Sequence, residues 1–487
     1  MDVATITLVL VAVALVVDLT VRVLALIYIP RDRSPTAAMA WLMAIFFLPY
    51  IGILLFLVFG SSKLPKRRRE KQREINSYIL DVTEGMDRVR RDHSWPPWLD
   101  SVVQLNRELG SMPLVGGNSV SLLVDYDRTI EAMAEEVRNA RRYVHVEFYI
   151  LAWDTTSAPF FDAMETAVRR GVTVRVLMDH VACRRTPGYR RTTRKLDSIG
   201  VQWRLMLPVR PLRGEWQRPD LRNHRKLVVV DGTIAFMGSQ NMVHRSYNKV
   251  VNRRRELKWI DIMTRLEGPI VTGINAIFIT DWYSETDELL TRESEASVPD
   301  PTDDDLDCQV VPSGPGFEGE NNLRLFNALM YYAQDRIVIT SPYFVPDDSM
   351  SYAITTAVQR GLHVELFVSE VGDQPLVYHA QRSYYETLLR AGVRINLYKA
   401  PYILHAKHFT IDDEVAVVGS SNMDIRSFSL NMEVSLMVRG RSFVAALREV
   451  EQSYRESSRE LTLEEWDRRP LRARVLDTVA RLSSAVQ

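Results

Sequence analysis

The chain has 487 residues, enough for two or three domains, and 46% of them are hydrophobic, which fits a globular body with some membrane content. Its 61 basic and 61 acidic side chains cancel, which removes the usual electrostatic ground for a nucleic-acid partner. Cys183 and Cys308 are too few for a disulfide framework, have no metal-ligand neighbours and read as free thiols.

The N-terminus speaks for a membrane. Val3 to Ile29 is apolar apart from threonines, Asp18 and Arg22, and Thr36 to Phe59 has no charge at all. Each reaches the roughly 20 residues that span a bilayer, so two transmembrane helices are expected, about 3–29 and 36–59, within an anchor over 1–62. Asp18 and Arg22 are four residues apart and share a helix face, where they can pair. A cleaved signal peptide is disfavoured, because a basic leading region and a small-residue cleavage site are both missing. Between the helices stand only Arg31 and Arg33, offset by Asp32. Lys63, Lys66, Arg67, Arg68, Arg69, Lys71 and Arg73 crowd the end of the second. This bias predicts a multi-pass protein of the cell membrane with its catalytic body on the cytoplasmic side, and a basic juxtamembrane segment, 63–100, that also suits anionic head groups.

From residue 101 the periodicities alternate. TIEAMAEEVRNARR reads as a helix, YVHVEFYIL as a strand, FFDAMETAVRRG as a helix and VTVRVLMD as a strand. Residues 292–307 are acidic, contain two prolines and form a linker. After it the order recurs in LRLFNALMYYAQ, RIVITSPYFV, MSYAITTAVQRG and LHVELFVS. Two α/β domains are expected, 101–291 and 308–487, each a sheet covered by helices, with the chemistry at their interface. The last helix carries Val475, Leu476, Val479, Leu482 and Val486 on one face, suited to docking on the body or to grazing the membrane.

One sparse pattern occurs twice, 181 residues apart. His224, Lys226 and Asp231 are matched by His405, Lys407 and Asp412, and each set runs on after seven residues into Gly-Ser-x-Asn, with Ser239 and Asn241 matched by Ser420 and Asn422. Repetition in register points to an internal duplication that gives one site two copies of each group. On a strand, His and Lys two residues apart share a face, so each half offers an imidazole beside an ammonium. That pairing suits a phosphate. Lysine neutralises non-bridging oxygens, one neutral histidine attacks phosphorus, and the other, protonated, serves the leaving alkoxide. Ser239, Asn241, Ser420 and Asn422 are candidates to hold the pentacoordinate oxygens, and the scheme requires no metal or other cofactor. By spacing alone, Asp231 and Asp412 read as turn residues between two strands. Asp261 and Glu433 occupy matching places on later apolar stretches, each seven residues before a glycine, and are candidates to orient an imidazole.

The paired motifs resemble the phospholipase D superfamily, and the surrounding text is similar to its bacterial cardiolipin synthase branch. The strings RSPTAAMAWLMAIFFLPYIGILLFLVFG, RNHRKLVVVDG, SGPG, SPYFVPD, LHAKHFTIDD and GSSNMDIRSFSLNMEV carry the likeness. The resemblance implies two phospholipase D-like domains in a pseudo-twofold pair. It implies that His224 is the nucleophile, that His405 is the general acid and base, and that Asp231 and Asp412 count among the catalytic motif residues. The chain departs from the family in having Ser239 where a second glycine is common, and in the strongly basic stretch 244–258. The favoured activity is transfer of a phosphatidyl group from one phosphatidylglycerol to another, with phospholipid substrates and the membrane as partners. A membrane phospholipase D that hydrolyses head groups and a non-enzymatic membrane scaffold are the alternatives.

Overall fold

The computed structural model describes residues 2–33, 35–60, 64–83, 85–86, 89, 95–215, 217–290, 298–304, 306–317 and 319–482. They fall into two units, Met1–Leu64 and Pro65–Gln487.

In the first unit, α1 (Val3–Tyr28) is capped by Asp2, whose carboxylate accepts from the Thr5 amide at 2.9 Å. At about 1.5 Å per residue it is long enough to cross a bilayer, and among the described residues it is the one helix that is both long and apolar enough. Arg22 pairs with Asp18 at 2.8 Å. The expected second span over 36–59 is not one helix. It is two shorter ones, α2 (Pro35–Phe47) and α3 (Pro49–Phe59). Pro49 lacks an amide hydrogen and pushes Leu48 out of the helical region, to φ −131 and ψ 66. The chain then folds back. A Cβ on Gly52 would lie 2.6 Å from the Ala44 carbonyl oxygen, Trp41 packs edge-on against Phe56 at 5.4 Å, and the Arg33 guanidinium donates to the Gly60 carbonyl at 3.1 Å. The apolar length that predicted a crossing is spent on a hairpin whose two ends lie together.

Among its described residues the second unit holds twenty strands. The first half contributes β1 (Leu114–Leu123), β2 (Tyr143–Phe148), β3 (Thr173–Asp179), β4 (Gln202–Met206), β5 (Arg222–Asn223), β6 (Lys226–Val230), β7 (Ile234–Gly238), β8 (Lys258–Ile260) and β9 (Met263–Glu267). The second contributes β10 (Leu306–Ser313), β11 (Arg336–Thr340), β12 (Phe344–Val345), β13 (His363–Ser369), β14 (Arg394–Tyr398), β15 (Tyr402–Leu404), β16 (His408–Ile411), β17 (Val415–Gly419), β18 (Met423–Asp424), β19 (Asn431–Arg439) and β20 (Ser458–Leu461). Outward from β1 run β9, β7, β6, β2, β3 and β4; outward from β10 run β19, β17, β16, β11, β13 and β14. The two halves thus repeat one topology, as the alternating periodicities predict. Their sheets are also continuous, because β1 pairs antiparallel with β10 through Leu114–Gln309 and Val115–Cys308.

Each half buries its own core between sheet and helices, around Ile130, Phe160, Val176 and Phe236 in the first, and Leu329, Ile354, Leu366 and Phe409 in the second. Cys183 and Cys308 are both buried and unpaired with each other. Of the acidic linker, residues 292–297 and 305 lie outside the described residues. Its end is pinned by the Thr302 amide, which donates to the Gly117 carbonyl at 2.8 Å.

Two further expectations change. The juxtamembrane basic cluster is only partly available to lipid. Arg68 makes a two-point ion pair with Glu285 at 2.7 and 2.8 Å, and Arg67 and Lys71 pair with Asp287. Lys63 lies outside the described residues. The final helix, Leu471–Arg481, does not dock by its apolar stripe. It buries Ala480 and Asp477, the latter accepting from His379 Nδ1 at 2.7 Å, and leaves Val475, Leu476, Val479 and Leu482 exposed. A carboxylate bound by His379, Arg382 and Arg469 outweighs an aliphatic face in setting the roll of the helix. Val486 lies outside the described residues.

Candidate active site

His224 and His405 both stand where a short strand of one half adds to a strand of the other that carries, or runs directly into, an acid. β5 pairs in parallel with the start of β19, and the His224 amide then donates to the Met432 carbonyl at 2.8 Å, one residue before Glu433. β15 pairs in parallel with β8, and the His405 amide donates to the Ile260 carbonyl at 2.7 Å, one residue before Asp261. The result is crossed. His224 Nδ1 lies 2.9 Å from Glu433 of the second half, and His405 Nδ1 lies 2.7 Å from Asp261 of the first.

These contacts define the tautomers. His224 Nδ1 also sits 3.1 Å from the Ser420 carbonyl oxygen, which only accepts, so Nδ1 carries the hydrogen and Nε2 keeps its lone pair. His405 Nδ1 faces an ionised carboxylate and likewise carries hydrogen; its Nε2 stands 3.2 Å from Lys407 Nζ. Both rings are almost completely buried, at 7% and 4% exposure.

Electrostatics separate the two imidazoles. Burial, followed by the charges of Lys226, Lys407 and His405, holds His224 well below the usual histidine range. Burial lowers His405 too, but Asp261 works against it. Asp261 is itself held down, since His405, Lys407 and the Ser239 hydroxyl outweigh its burial, whereas burial lifts Glu433 to about 7. Lys226 and Lys407, both buried, are lowered to about 7 and about 8 by desolvation. Each ammonium donates to the carbonyl of its own histidine. A depressed lysine is cationic below its pKa and neutral above it. The expected consequence is a kcat/KM that falls as pH rises through about 7 to 8, and a pH–rate profile checks it. A rate flat up to pH 10 would show that the lysines keep their charge.

The remaining motif residues are placed differently from their sequence expectation. Ser239 Oγ donates to Asp261 at 2.7 Å and Ser420 Oγ to Glu433 at 2.5 Å, so both hydroxyls hold the acids in the free site. Asn241 donates to the Tyr247 hydroxyl and accepts from the Ile150 amide, and Asn422 donates to Ser427. The glycines that precede the serines are required by close approach: a Cβ on Gly238 or Gly419 would lie 2.4 Å from the Ile262 or Val434 carbonyl oxygen.

Asp231 and Asp412, which the resemblance counts among the catalytic motif residues, bond backbone amides and make no hydrogen bond to either histidine among the described residues. They sit in left-handed turns, φ 53 and 48, a strand's length from the site. Asp231 accepts from the amides of Arg141, Arg142 and Tyr143, and Asp412 from those of Gln334, Asp335 and Arg336. The turn reading by spacing is what the geometry displays. Asp231→Ala is expected to cost about 2 kcal/mol of stability in denaturant titration, by orphaning amide donors, with an unchanged pH–rate profile. A shifted profile would return Asp231 to the chemistry.

Single-sequence reading missed three tyrosines. The Tyr149 ring meets His224 edge-on at 4.8 Å, and Tyr247 and Tyr343 flank His405 at 6.3 and 6.4 Å. Tyr149 and Tyr343 lie in apolar runs that look like core and Tyr247 in the basic stretch 244–258, and only the halves' apposition reveals them.

The family comparison decides the identity. A model described as "Cardiolipin synthase, PLD-like domain" matches residues 133–282 and 327–454, and one described as "Phospholipase_D-nuclease N-terminal" matches 21–61. Cardiolipin synthase A of Proteus mirabilis (strain HI4320) is 32% identical over 477 residues, covering 95% of this chain and 94% of that one. Cardiolipin synthase A of Klebsiella pneumoniae (strain 342) is 32% identical over 479 residues, with the same coverage of each chain.

The chain belongs to the cardiolipin synthase family of phospholipase D-like enzymes.

In fold, it is similar to the crystal structure of phosphatidylserine synthase from Haemophilus influenzae Rd KW20, with a TM-score of 0.57 at 15% identity over 79% of this chain and 100% of that one. Within the cardiolipin synthase family frame, residues 133–282 and 327–454 are the two phospholipase D-like repeats, and each supplies one histidine and the acid that holds the other's.

Proposed function

We propose that this cardiolipin synthase takes phosphatidylglycerol as both donor and acceptor and works through a phosphatidyl-histidine at His224. The observation that carries the reading is the crossed, unequal pair of imidazoles. His224 is neutral, with its Nε2 lone pair free for phosphorus, while His405 Nε2 lies 3.2 Å from the Lys407 ammonium beside an ionised Asp261.

In the first step His224 Nε2 bonds to phosphorus, the bond from phosphorus to the glycerol oxygen breaks, and His405 Nε2–H gives that oxygen its proton. In the second, His405 takes a proton from the terminal hydroxyl of another phosphatidylglycerol, whose oxygen displaces His224 and forms cardiolipin. Entry of an anionic phosphodiester raises the affinity of both imidazoles and both lysines for protons, so the bound substrate charges the acid it needs. Lys226 and Lys407 neutralise the non-bridging oxygens. One phosphodiester replaces another, so no nucleotide is consumed.

The membrane arrangement follows from the hairpin. With α1 crossing once and α2–α3 returning to the side it entered, Arg31, Arg33 and the basic run from Lys66 to Arg73 all follow the crossing on one side, which the charge bias makes cytoplasmic. This replaces the multi-pass expectation with a single pass and a re-entrant hairpin. Cysteine labelling at position 31 from each side of sealed vesicles tests it: accessibility from the side opposite the basic run Lys66 to Arg73 would restore a second crossing.

The deciding experiment for the activity is mass spectrometry of products from purified protein in micelles containing phosphatidylglycerol alone, beside His224→Ala. Cardiolipin and glycerol, absent in the variant, are expected. Phosphatidic acid without cardiolipin would make the protein a hydrolase.

A further inference from the structure

On the flank of the first half, away from the histidines, Arg184, Arg190, Arg191, Arg194, Arg210 and His180 surround a cleft of about 700 Å³. They come from two consecutive helices, His180–Arg185 and Tyr189–Ile199, and from the loop that follows β4. Positions 190, 191 and 194 are three and four residues apart, so the second helix turns them to one side. Gly188, at φ 96, makes the tight entry that sets this helix against the first.

Little compensates the charge. Arg210 has Glu215 at 3.5 Å, and Arg191 donates to the Trp153 carbonyl while lying over its ring. Arg184, Arg190 and Arg194 make no ion pair or side-chain hydrogen bond among the described residues. Guanidiniums gathered without carboxylates repel one another, and the chemistry that relieves them is a phosphate, which their planar forks match. His180 adds a neutral donor. It is 2% exposed, and its Nδ1 accepts from the Val209 amide at 2.9 Å, which leaves the hydrogen on Nε2. Burial, with Arg210 and Arg184, lowers it to about 4, so it stays neutral at physiological pH.

The cleft shares a wall with the active site. Asp179 caps the first helix and also holds Arg222 and the Asn223 amide, the two residues before His224. Cys183 of that helix donates to the Tyr149 carbonyl, and the Tyr149 ring rests on His224. One helix, about 10 Å thick with its side chains, therefore separates the arginines from the nucleophile's surroundings. Leu212, in the turn directly after Arg210, is fully exposed. An aliphatic tip beside a cationic cleft is the pattern of a surface that meets an anionic bilayer.

We propose that the arginine cleft binds the phosphodiester head group of a second anionic phospholipid while the first occupies the histidines. The proposal rests on the phosphatidyltransfer reading above for its lipid, and it makes the cleft an accessory site that holds a second lipid at the enzyme rather than the place from which the acceptor reacts.

The test uses the full-length chain carrying His224→Ala, which holds lipid without turnover, in neutral detergent micelles titrated with phosphatidylglycerol. Native mass spectrometry counts the lipids bound per chain. Two are expected. Adding R184Q/R190Q/R194Q should weaken the second by at least about tenfold, at roughly 1 kcal/mol per basic residue, and leave the first. R184K/R190K/R194K should recover part of it. R128Q/R138Q/R141Q, an equal loss of exposed charge elsewhere, should change neither. An equal fall in that control, or no change in the cleft variant, would overturn the proposal. Inorganic phosphate serves as competitor: displacement of the second lipid at matching concentration would make free phosphate the ligand and overturn the lipid as its source. Binding is read without turnover, so failure of the wild-type chain to form cardiolipin would defeat the activity reading while leaving this result to stand or fall separately.

Discussion

His224→Ala is expected to reduce cardiolipin formation by at least about 10⁴-fold, some 5 kcal/mol or more of lost transition-state stabilisation, because no other buried base stands with a free lone pair at that position. His405→Ala should be as damaging with phosphatidylglycerol but not with every donor. A phosphatidyl donor whose leaving group is a nitrophenolate needs no proton in the first step. The His405→Ala chain should therefore release a burst of nitrophenolate and then stall, holding its lipid on His224, while the His224→Ala chain should give no burst. The difference follows from the environment of the two rings. Only His405 has an acid held ionised beside it and a lysine within 3.2 Å of its other nitrogen. An adduct trapped during turnover of the wild-type chain and mapped to His405 would exchange the roles.

The orienting acids should also be unequal. Asp261→Asn removes a carboxylate held well ionised against His405 Nδ1, and a loss of about 10² to 10⁴ in kcat is expected, the range seen when a buried acid that fixes an imidazole is made neutral. Glu433→Gln should cost less. Burial lifts Glu433 to about 7, so near neutrality a good share of the chains already carry it protonated, and an amide oxygen accepts from His224 Nδ1 much as the acid does. The signature is in the pH dependence. A group raised from 4.5 to about 7 is charged only above that value, so the wild-type profile should carry an inflection near 7 in addition to the fall assigned to the lysines, and Glu433→Gln should remove it while leaving that fall in place. A profile that Glu433→Gln leaves unchanged would assign all of it to Lys226 and Lys407.

Much of this site is legible in the sequence because duplication writes each group twice. The register of His224, Lys226 and Ser239 against His405, Lys407 and Ser420 separates signal from chance, and the same logic singles out Asp261 and Glu433. The alternation of helical and strand periods likewise gives two α/β halves. What stays hidden depends on distance along the chain. The pairing of Leu114 with Gln309, which joins the sheets, and that of Arg68 with Glu285 link segments about 200 residues apart, and no local pattern encodes them. Ser239 and Ser420 turn to their acids because a buried carboxylate takes the nearest donor, which spacing does not show. In the anchor, the signal was present and overridden. Pro49 and Gly52 mark a break and a close approach, but total apolar length dominates a reading for membrane spans.

The crossing of the acids has a genetic reading. A repeat that contains His224 but takes its orienting carboxylate from beyond the linker cannot assemble a working site from its own residues, so the two copies are bound to one another as firmly as two subunits of an obligate pair. Changes in one copy are then felt in the other. The coupling energy between His224 and Glu433 should exceed that between His224 and Asp261, although Asp261 is the nearer along the chain. Once duplicated and joined, such copies are free to diverge in what surrounds them, as Arg184, Arg190 and Arg194 in one half illustrate, but not in the handful of positions where each completes its twin.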